Sequence, residues 1–162
     1  MIWFTDNNLI IEFDSVPSVS ARVIEPDMTT IEKNSIARYP FHNNKQIKIT
    51  ITDIDKKEVN KYEFCVYRNY CYDGASIPKM FWRIIGSNTD SRFLIPSMIH
   101  DVLCENHQYI NHNRNLSSRI FKGLLLSAGV SKFKAQTMYL AVDNYQRFCG
   151  WNEKSQKSNE IK

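Results

Sequence analysis

The sequence predicts an α+β fold, in which an antiparallel β portion over about 1–72 packs with a three- to four-helix portion over about 78–150. Two observations predict it. Before Pro78, apolar residues alternate with polar ones, which is the period of a strand with one buried face. After Pro78 they recur every three or four residues, which is the period of an amphipathic helix. A chain of 162 residues is expected to form one domain over 1–151, followed by a polar, flexible tail over 152–162.

Four strands are predicted in the first half. Leu9–Phe13 is a short apolar run that follows a polar turn. Residues 47–51 alternate between isoleucine and polar side chains, and 59–67 repeat this alternation beyond a polar turn, so the two segments are expected to form an antiparallel hairpin. Residues 37–41 are a further candidate strand, which Pro40 restricts to a sheet edge or a bulge.

Four helices are predicted in the second half. The first covers 78–85, and the second carries Pro96 in its first turn. The third finds its cap within 115–118 and ends at Gly129. The fourth begins after Ser131, and four apolar residues share its buried face: Met138, Val142, Tyr145 and Phe148.

Composition and charge exclude several classes of function. The net charge is +4 and the basic residues are scattered, so no nucleic-acid partner is expected. No apolar run approaches about 18 residues, so no membrane span is expected, and the first residues lack the pattern of a signal peptide. The cysteines contain no CxxC pair, so reduced thiols in a cytosolic setting are expected at four positions: Cys65, Cys71, Cys104 and Cys149.

Two carboxylates, a hydroxyl and an imidazole form a candidate catalytic site: Asp73, Ser76, His100 and Asp101. Such side chains activate water, bind a metal or act as nucleophiles. Asp73 and Ser76 lie where the last strand gives way to the first helix, a junction that exposes side chains. A plainer interpretation stays open. An Asp-Gly pair is a common turn, Ser76 caps the coming helix, and His100 on an apolar helix is a hydrogen-bonded core residue.

The same region offers a candidate metal site. His100, Cys104 and His107 are spaced i, i+4 and i+7, which places them on one stripe of a helix, and Asp101 is adjacent. Nitrogen and sulfur ligands in this spacing suit zinc or another divalent metal. Against a metal, the helix is expected to end near Asn106, and such a coincidence arises easily in a chain with four histidines and four cysteines.

Several separated motifs follow one another along the chain. They are Asp73-Gly74-Ala75-Ser76-Ile77-Pro78, Trp82, His100-Asp101, Arg119-Ile120-Phe121, Gly129-Val130, Met138-Tyr139-Leu140-Ala141-Val142 and Gly150. In this order and spacing, over roughly 60–150, the chain resembles a family of small phage and prophage proteins catalogued as domain of unknown function 1353.

The resemblance implies a phage or prophage origin, and it implies that the four candidate catalytic residues are the polar motif positions of the family. It brings no established activity. Two positions depart from the family pattern: Ser118 stands where an aspartate is usual, and Cys104 where an aromatic residue is frequent. Losing an anionic ligand weakens a carboxylate metal site. This member is therefore expected to be altered or inactive, or to use Cys104 as a replacement ligand.

Two functions follow as expectations. The first is a metal-assisted hydrolase of a cell-wall peptide or amide bond, in which His100 is the general base or a metal ligand and Asp101 and Asp73 orient it. Ser76 then binds substrate or is the nucleophile. The second is a non-enzymatic virion or tail component, or a protein that binds a host protein, in which the same residues form a structural hydrogen-bond network. Either protein is expected in the host cytoplasm or in the virion.

Overall fold

The computed structural model describes residues 1–73, 90–149 and 151, and it confirms the α+β class. One sheet has four antiparallel strands in the order β1-β2-β5-β6. Its strands are β1 (Ile2–Thr5), β2 (Leu9–Phe13), β5 (Ile47–Asp55) and β6 (Glu58–Val66). The predicted hairpin is confirmed, with Ile51 opposite Tyr62 and a tight turn at Lys56 and Lys57.

A second, three-stranded antiparallel sheet has the order β3-β4-β7. It consists of β3 (Val19–Ala21), β4 (Phe41–Asn43) and β7 (Cys71–Tyr72). Asn43 is fully buried and joins this sheet to the end of β6, because its side-chain amide donates to the Tyr67 carbonyl at 3.0 Å. This bond fixes the direction in which the chain leaves β6 and enters β7.

The prediction of a strand over 37–41 is wrong for most of its length. The chain forms helix α1 (Thr30–Arg38) there, and β4 begins only at Phe41. A capping box starts the helix: the Thr29 hydroxyl accepts from the Glu32 amide at 3.2 Å, and the Glu32 carboxylate accepts from the Thr29 amide at 2.7 Å.

Three helices and a short 3-10 helix follow residue 90. They are α2 (Ser91–Glu105), the 3-10 helix (His107–Ile110), α3 (Arg114–Ser127) and α4 (Lys132–Cys149). Pro96 lies inside α2, not in its first turn as predicted. The cap of α3 is Asn113, two residues earlier than expected, and Gly129 follows α3 with a φ of +90°, which suits a glycine. The predicted helix over 78–85 lies outside the described residues.

The main core lies between the four-stranded sheet and helices α2 and α3. The isoleucines at 47, 49 and 51 have no exposed surface and pack with Leu103 of α2 and Ile120 of α3. At the rim, Arg119 of α3 donates to the buried Asp53 carboxylate of β5 at 3.0 Å. No helix in the described part of the chain is both long and apolar enough to cross a membrane.

The buried face predicted for α4 is correct at one end and wrong at the other. Met138 and Val142 are buried, but Tyr145 and Phe148 are 54% and 81% exposed. In the last turns the buried side chains are polar: Asp143 binds Arg114, and Gln146 points into the helical core. The polar tail predicted over 152–162 lies outside the described residues.

Candidate functional site

Helix α2 carries most of the candidate residues, and its start is fixed by its cap. The Asp90 carboxylate accepts from the Arg92 amide at 2.9 Å and pairs with the Arg92 guanidinium at 2.7 Å. These contacts lower the pKa of Asp90 to about 2. The second half of the helix is almost wholly buried, so its polar side chains lie inside the protein. They face different sides of the helix.

Two carboxylates on one side of α2 act on buried tyrosines. Asp101 is 9% exposed and Glu105 is 5% exposed, one turn apart, and neither Tyr70 nor Tyr72 has any exposed surface. Tyr70 donates a hydrogen bond to Glu105. Burial, followed by the negative charges of Asp101 and Glu105, raises the pKa of Tyr70 well above its usual value. We call Tyr70, Tyr72, Asp101 and Glu105 the carboxylate–tyrosine cluster.

Tyr72 is the member of this cluster that directly precedes Asp73, another residue of the predicted site. Burial and the charge of Asp101 raise its pKa far above the usual range. Its hydroxyl is buried and finds no hydrogen-bond partner among the described residues. Asp73 follows it directly and is exposed. The charge of Asp101 therefore acts on the end of β7 that leads into Asp73, whereas Ser76 lies outside the described residues.

His100 lies on a different side of α2 from Asp101. Its half-buried ring is 5.1 Å from the Phe121 ring of α3, and both ring nitrogens are 3.7 Å from the Cys104 sulfur. From α4, the Gln146 amide nitrogen lies 3.2 Å from His100 Nε2 and donates to the Cys104 sulfur at 3.2 Å.

Ser118, which stands where the resembled family usually has an aspartate, adjoins this group. It is fully buried, and its hydroxyl lies 3.5 Å from the Gln146 carbonyl oxygen and 3.5 Å from the Arg114 carbonyl oxygen. Gln146 therefore connects Ser118 on one side with His100 and Cys104 on the other. We call these four residues the histidine–glutamine group.

The predicted metal stripe is interrupted because α2 ends at Glu105, before His107. His107 belongs to the 3-10 helix, and its ring stacks on Trp151 with 3.6 Å between centroids. Within 1–73, 90–149 and 151, no three His, Cys, Asp or Glu side chains form a group that could hold a metal ion. The structure thus supplies no geometry for the metal, which stays a prediction.

Four side chains at the site were missed from the sequence: Tyr70, Tyr72, Glu105 and Gln146. Glu105 had a detectable signal, since it follows Asp101 by four residues and therefore lies on the same helical face. Gln146 continues the series Met138 and Val142 at the same spacing of four. The tyrosines had no local signal, because their proximity to α2 depends on how the second sheet packs.

Comparison with known proteins connects this geometry to one family. The family model described as "Protein of unknown function (DUF1353)" matches residues 49–142. The match begins in β5 and ends in α4. It therefore includes the carboxylate–tyrosine cluster and, apart from Gln146, the histidine–glutamine group. It does not include β1 to β4 or α1.

Two curated relatives from Sinorhizobium fredii are similar over part of the chain. The uncharacterized protein y4jT is 37% identical over 89 residues, which cover 55% of this chain and 25% of the relative. The uncharacterized protein y4iH is 31% identical over 70 residues, which cover 43% of this chain and 28% of the relative. The chain thus spans about a quarter of the length of these relatives. No solved structure matches it.

Proposed function

We propose that this chain, which belongs to the family of proteins of unknown function DUF1353, is a hydrolase of phage or prophage origin whose acid–base group is Asp101. One observation carries the proposal: the negative charge of the buried Asp101 acts on the Tyr72 hydroxyl, which is buried and has no hydrogen-bond partner in the described part of the chain. An unsatisfied buried hydroxyl is costly and calls for an explanation, and use by a ligand or in a reaction is one such explanation.

The chemistry follows from the two groups. Asp101 supplies a buried carboxylate, a side chain that can accept a proton from water and pass it on. Asp101 deprotonates the attacking water and then returns the proton to the leaving amine. The protonated Tyr72 hydroxyl donates to the substrate carbonyl oxygen as that oxygen becomes negative.

The substrate class is a cell-wall peptide or amide bond, which rests on the phage origin that the resemblance implies. Asp73 and Ser76, at the start of the segment after β7, are assigned to substrate binding. His100 is assigned a positioning role, because Gln146 and Cys104 already contact its ring.

The experiment compares wild-type protein with Asp101→Asn and Tyr72→Phe on purified peptidoglycan, with release of soluble fragments as the readout. Glu63→Gln, which alters an exposed carboxylate on β6 that is paired with Lys48, is the matched control. We expect release by the wild type and the control, and a loss of at least about 100-fold in Asp101→Asn. Circular dichroism establishes that each variant is folded. Equal release by folded Asp101→Asn, or none by the wild type, overturns the assignment.

The sequence also predicted a metal-assisted form of the same hydrolase, with zinc bound by His100, Asp101, Cys104 and His107, although these described residues form no group that could hold a metal ion. Metal analysis of protein purified without a chelator tests it, with His100→Ala as the comparison. Stoichiometric zinc that is lost in the variant supports this form. A wild-type protein without metal that still releases fragments restricts the mechanism to Asp101.

A second function is supported by the histidine–glutamine group, whose members contact one another and so have a structural use without any substrate. In this alternative the protein is a non-enzymatic virion or tail component, or binds a host protein. His100→Ala then lowers the free energy of unfolding by about 1–3 kcal/mol, since buried partners lose a bond. Mass spectrometry of purified virions is the direct test, and absence from the particles removes the virion version.

A further inference from the structure

Helix α4 presents an apolar stripe to solvent along its whole length. Phe133 is 76% exposed, Leu140 is 46% exposed and Phe148 is 81% exposed. Large apolar side chains scattered singly over a surface need no explanation, but these three follow one another along one face of one helix. These residues do not serve the core of this chain, because the opposite face of α4, with Met138 and Val142, is the buried one.

The spacing of the stripe fits a partner helix. The outward positions succeed one another at intervals of four, three, four and four residues: Phe133, Thr137, Leu140, Asn144 and Phe148. Intervals of three and four produce the narrow seam along which two helices pack. Polar residues lie within the seam, as single asparagines do in coiled coils, where they fix the register.

The geometry of the seam also sets the size of the partner. Phe133 and Phe148 are fifteen residues apart, so the seam is about 22 Å long at the usual rise of a helix. The Thr137 hydroxyl donates to the Phe133 carbonyl at 2.9 Å and is thereby occupied within α4. A partner therefore meets Leu140 at the centre of the seam, between Thr137 and Asn144, and needs about four helical turns to cover the whole length.

Charge around the seam determines the character of the partner. Lys132, Lys134 and Arg147 are the charged residues that flank it, and the single acidic residue of α4, Asp143, is buried. Asp143 pairs with both Arg114 and Arg147. One carboxylate therefore neutralises only one of these two positive charges. A second copy of this chain would bring like charges together, whereas acidic side chains would complement them.

We propose that the outer face of α4 is a docking site for an amphipathic helix of another protein, with an apolar seam flanked by acidic residues. The partner helix places its apolar residues between Phe133, Leu140 and Phe148, and its carboxylates beside Lys132 and Arg147. This site is separate from the carboxylate–tyrosine cluster, so the proposal does not depend on the hydrolase assignment.

The test uses the full chain and three labelled synthetic peptides of three heptads. The first two contain leucine at the seam positions. The first has glutamate at the flanks, the second has lysine there, and the third has the residues of the first in scrambled order. Fluorescence anisotropy measures the binding of each peptide to wild-type protein and to Leu140→Glu. Ile31→Glu, which adds the same charge at a residue of α1 that is 82% exposed, is the matched control.

We expect saturable binding of the acidic peptide that weakens by at least about tenfold for Leu140→Glu and for the lysine peptide, and that stays unchanged for Ile31→Glu. Binding whose affinity does not depend on the peptide charge, or is unchanged by Leu140→Glu, overturns the proposal. A lack of binding overturns it as well. Two further results also overturn it. One is self-association in sedimentation velocity that Leu140→Glu abolishes. The other is cosedimentation with phosphatidylglycerol vesicles without any binding of the acidic peptide.

Discussion

Gln146 and His100 meet between helices α4 and α2, with 3.2 Å between the amide nitrogen of one and Nε2 of the other. The same amide nitrogen donates to the Cys104 sulfur, and the amide oxygen lies 3.5 Å from the Ser118 hydroxyl. One side chain therefore connects all three long helices of the second half.

The first prediction follows from this position. Gln146→Ala is expected to lower the free energy of unfolding by about 1–2 kcal/mol, because the buried Cys104 and Ser118 side chains lose their shared partner. Urea denaturation followed by circular dichroism measures it. Gln136→Ala, at an exposed position of the same helix, is the control and should be close to neutral. Equal stabilities for the two variants would show that the histidine–glutamine group contributes nothing.

Much of the fold was predictable because its strongest signals are local. The isoleucines at 47, 49 and 51 alternate over enough residues to define β5, and Gly129 and Ser131 mark the boundary between α3 and α4 unambiguously. Short strands such as Val19–Ala21 have no such signal, since three residues cannot establish a period. Helix α1 was missed although its capping box, Thr29 and Glu32, stands in the sequence.

The site was less predictable, because it depends on which side of α2 each residue faces. Adjacent residues on a helix point about 100° apart. This allows His100 and Asp101 either to share a cleft or to face different neighbours. Tertiary packing decides that they face different neighbours. Helix α4 brings Gln146 to His100, and the second sheet brings Tyr72 under the charge of Asp101. Tyr145 and Phe148 were assigned to the core for the same reason: apolar spacing alone does not identify which face is covered.

The second prediction concerns Arg119, which belongs to a motif of the family but has a structural contact here. Its guanidinium donates to the Asp53 carboxylate at 3.0 Å and to the Asn8 carbonyl at 3.1 Å, and so joins α3 to the sheet. Arg119→Ala is expected to cost about 2–3 kcal/mol, since it leaves the buried Asp53 carboxylate without this partner.

Lys48→Ala is the matched control for Arg119→Ala. It breaks a pair with Glu63 in which both side chains are about half exposed, so it should cost less than about 1 kcal/mol. The double variant Arg119→Ala/Asp53→Ala, in a cycle with the two single variants, isolates the pair itself. Additive losses in that cycle would mean that Arg119 stabilises the protein through packing alone.

The third prediction concerns the cap of α2. Asp90→Ala is expected to lower stability by about 1 kcal/mol near neutral pH, because the Arg92 amide loses its acceptor. The folded-state pKa of Asp90 is about 2 and its ordinary value is 3.8. The contribution of its charge is thus complete above pH 3.8 and disappears as the pH falls through 2.

Unfolding at a series of pH values measures this dependence. The difference between wild type and Asp90→Ala should shrink between pH 4 and pH 2. Asp90→Asn retains a capping acceptor without the charge, so it should lose less stability than the alanine variant and show no such decrease. A deficit in Asp90→Ala that is constant down to pH 2 would contradict the assigned role of the carboxylate.

The fourth prediction uses the buried tyrosines of the carboxylate–tyrosine cluster. Burial and neighbouring negative charge hold the pKa of Tyr70 and of Tyr72 above the ordinary value of 10. The unfolded chain therefore releases these two protons at a lower pH than the folded protein does. The stabilising contribution is complete below pH 10 and is lost as the pH rises above it, by about 1.4 kcal/mol per pH unit for each tyrosine.

Tyrosinate absorbance during an alkaline titration, with circular dichroism in parallel, measures the effect. Two of the eight tyrosines should ionise only together with unfolding. Tyr72→Phe should make the loss of stability above pH 10 less steep, because one of the two linked protons is removed. Tyr67→Phe, at a tyrosine that is 43% exposed, is the control and should leave the slope unchanged. If all eight tyrosines ionise while the protein remains folded, the cluster is open to water, and the buried Tyr72 hydroxyl that supports the Asp101 site is not shielded as proposed.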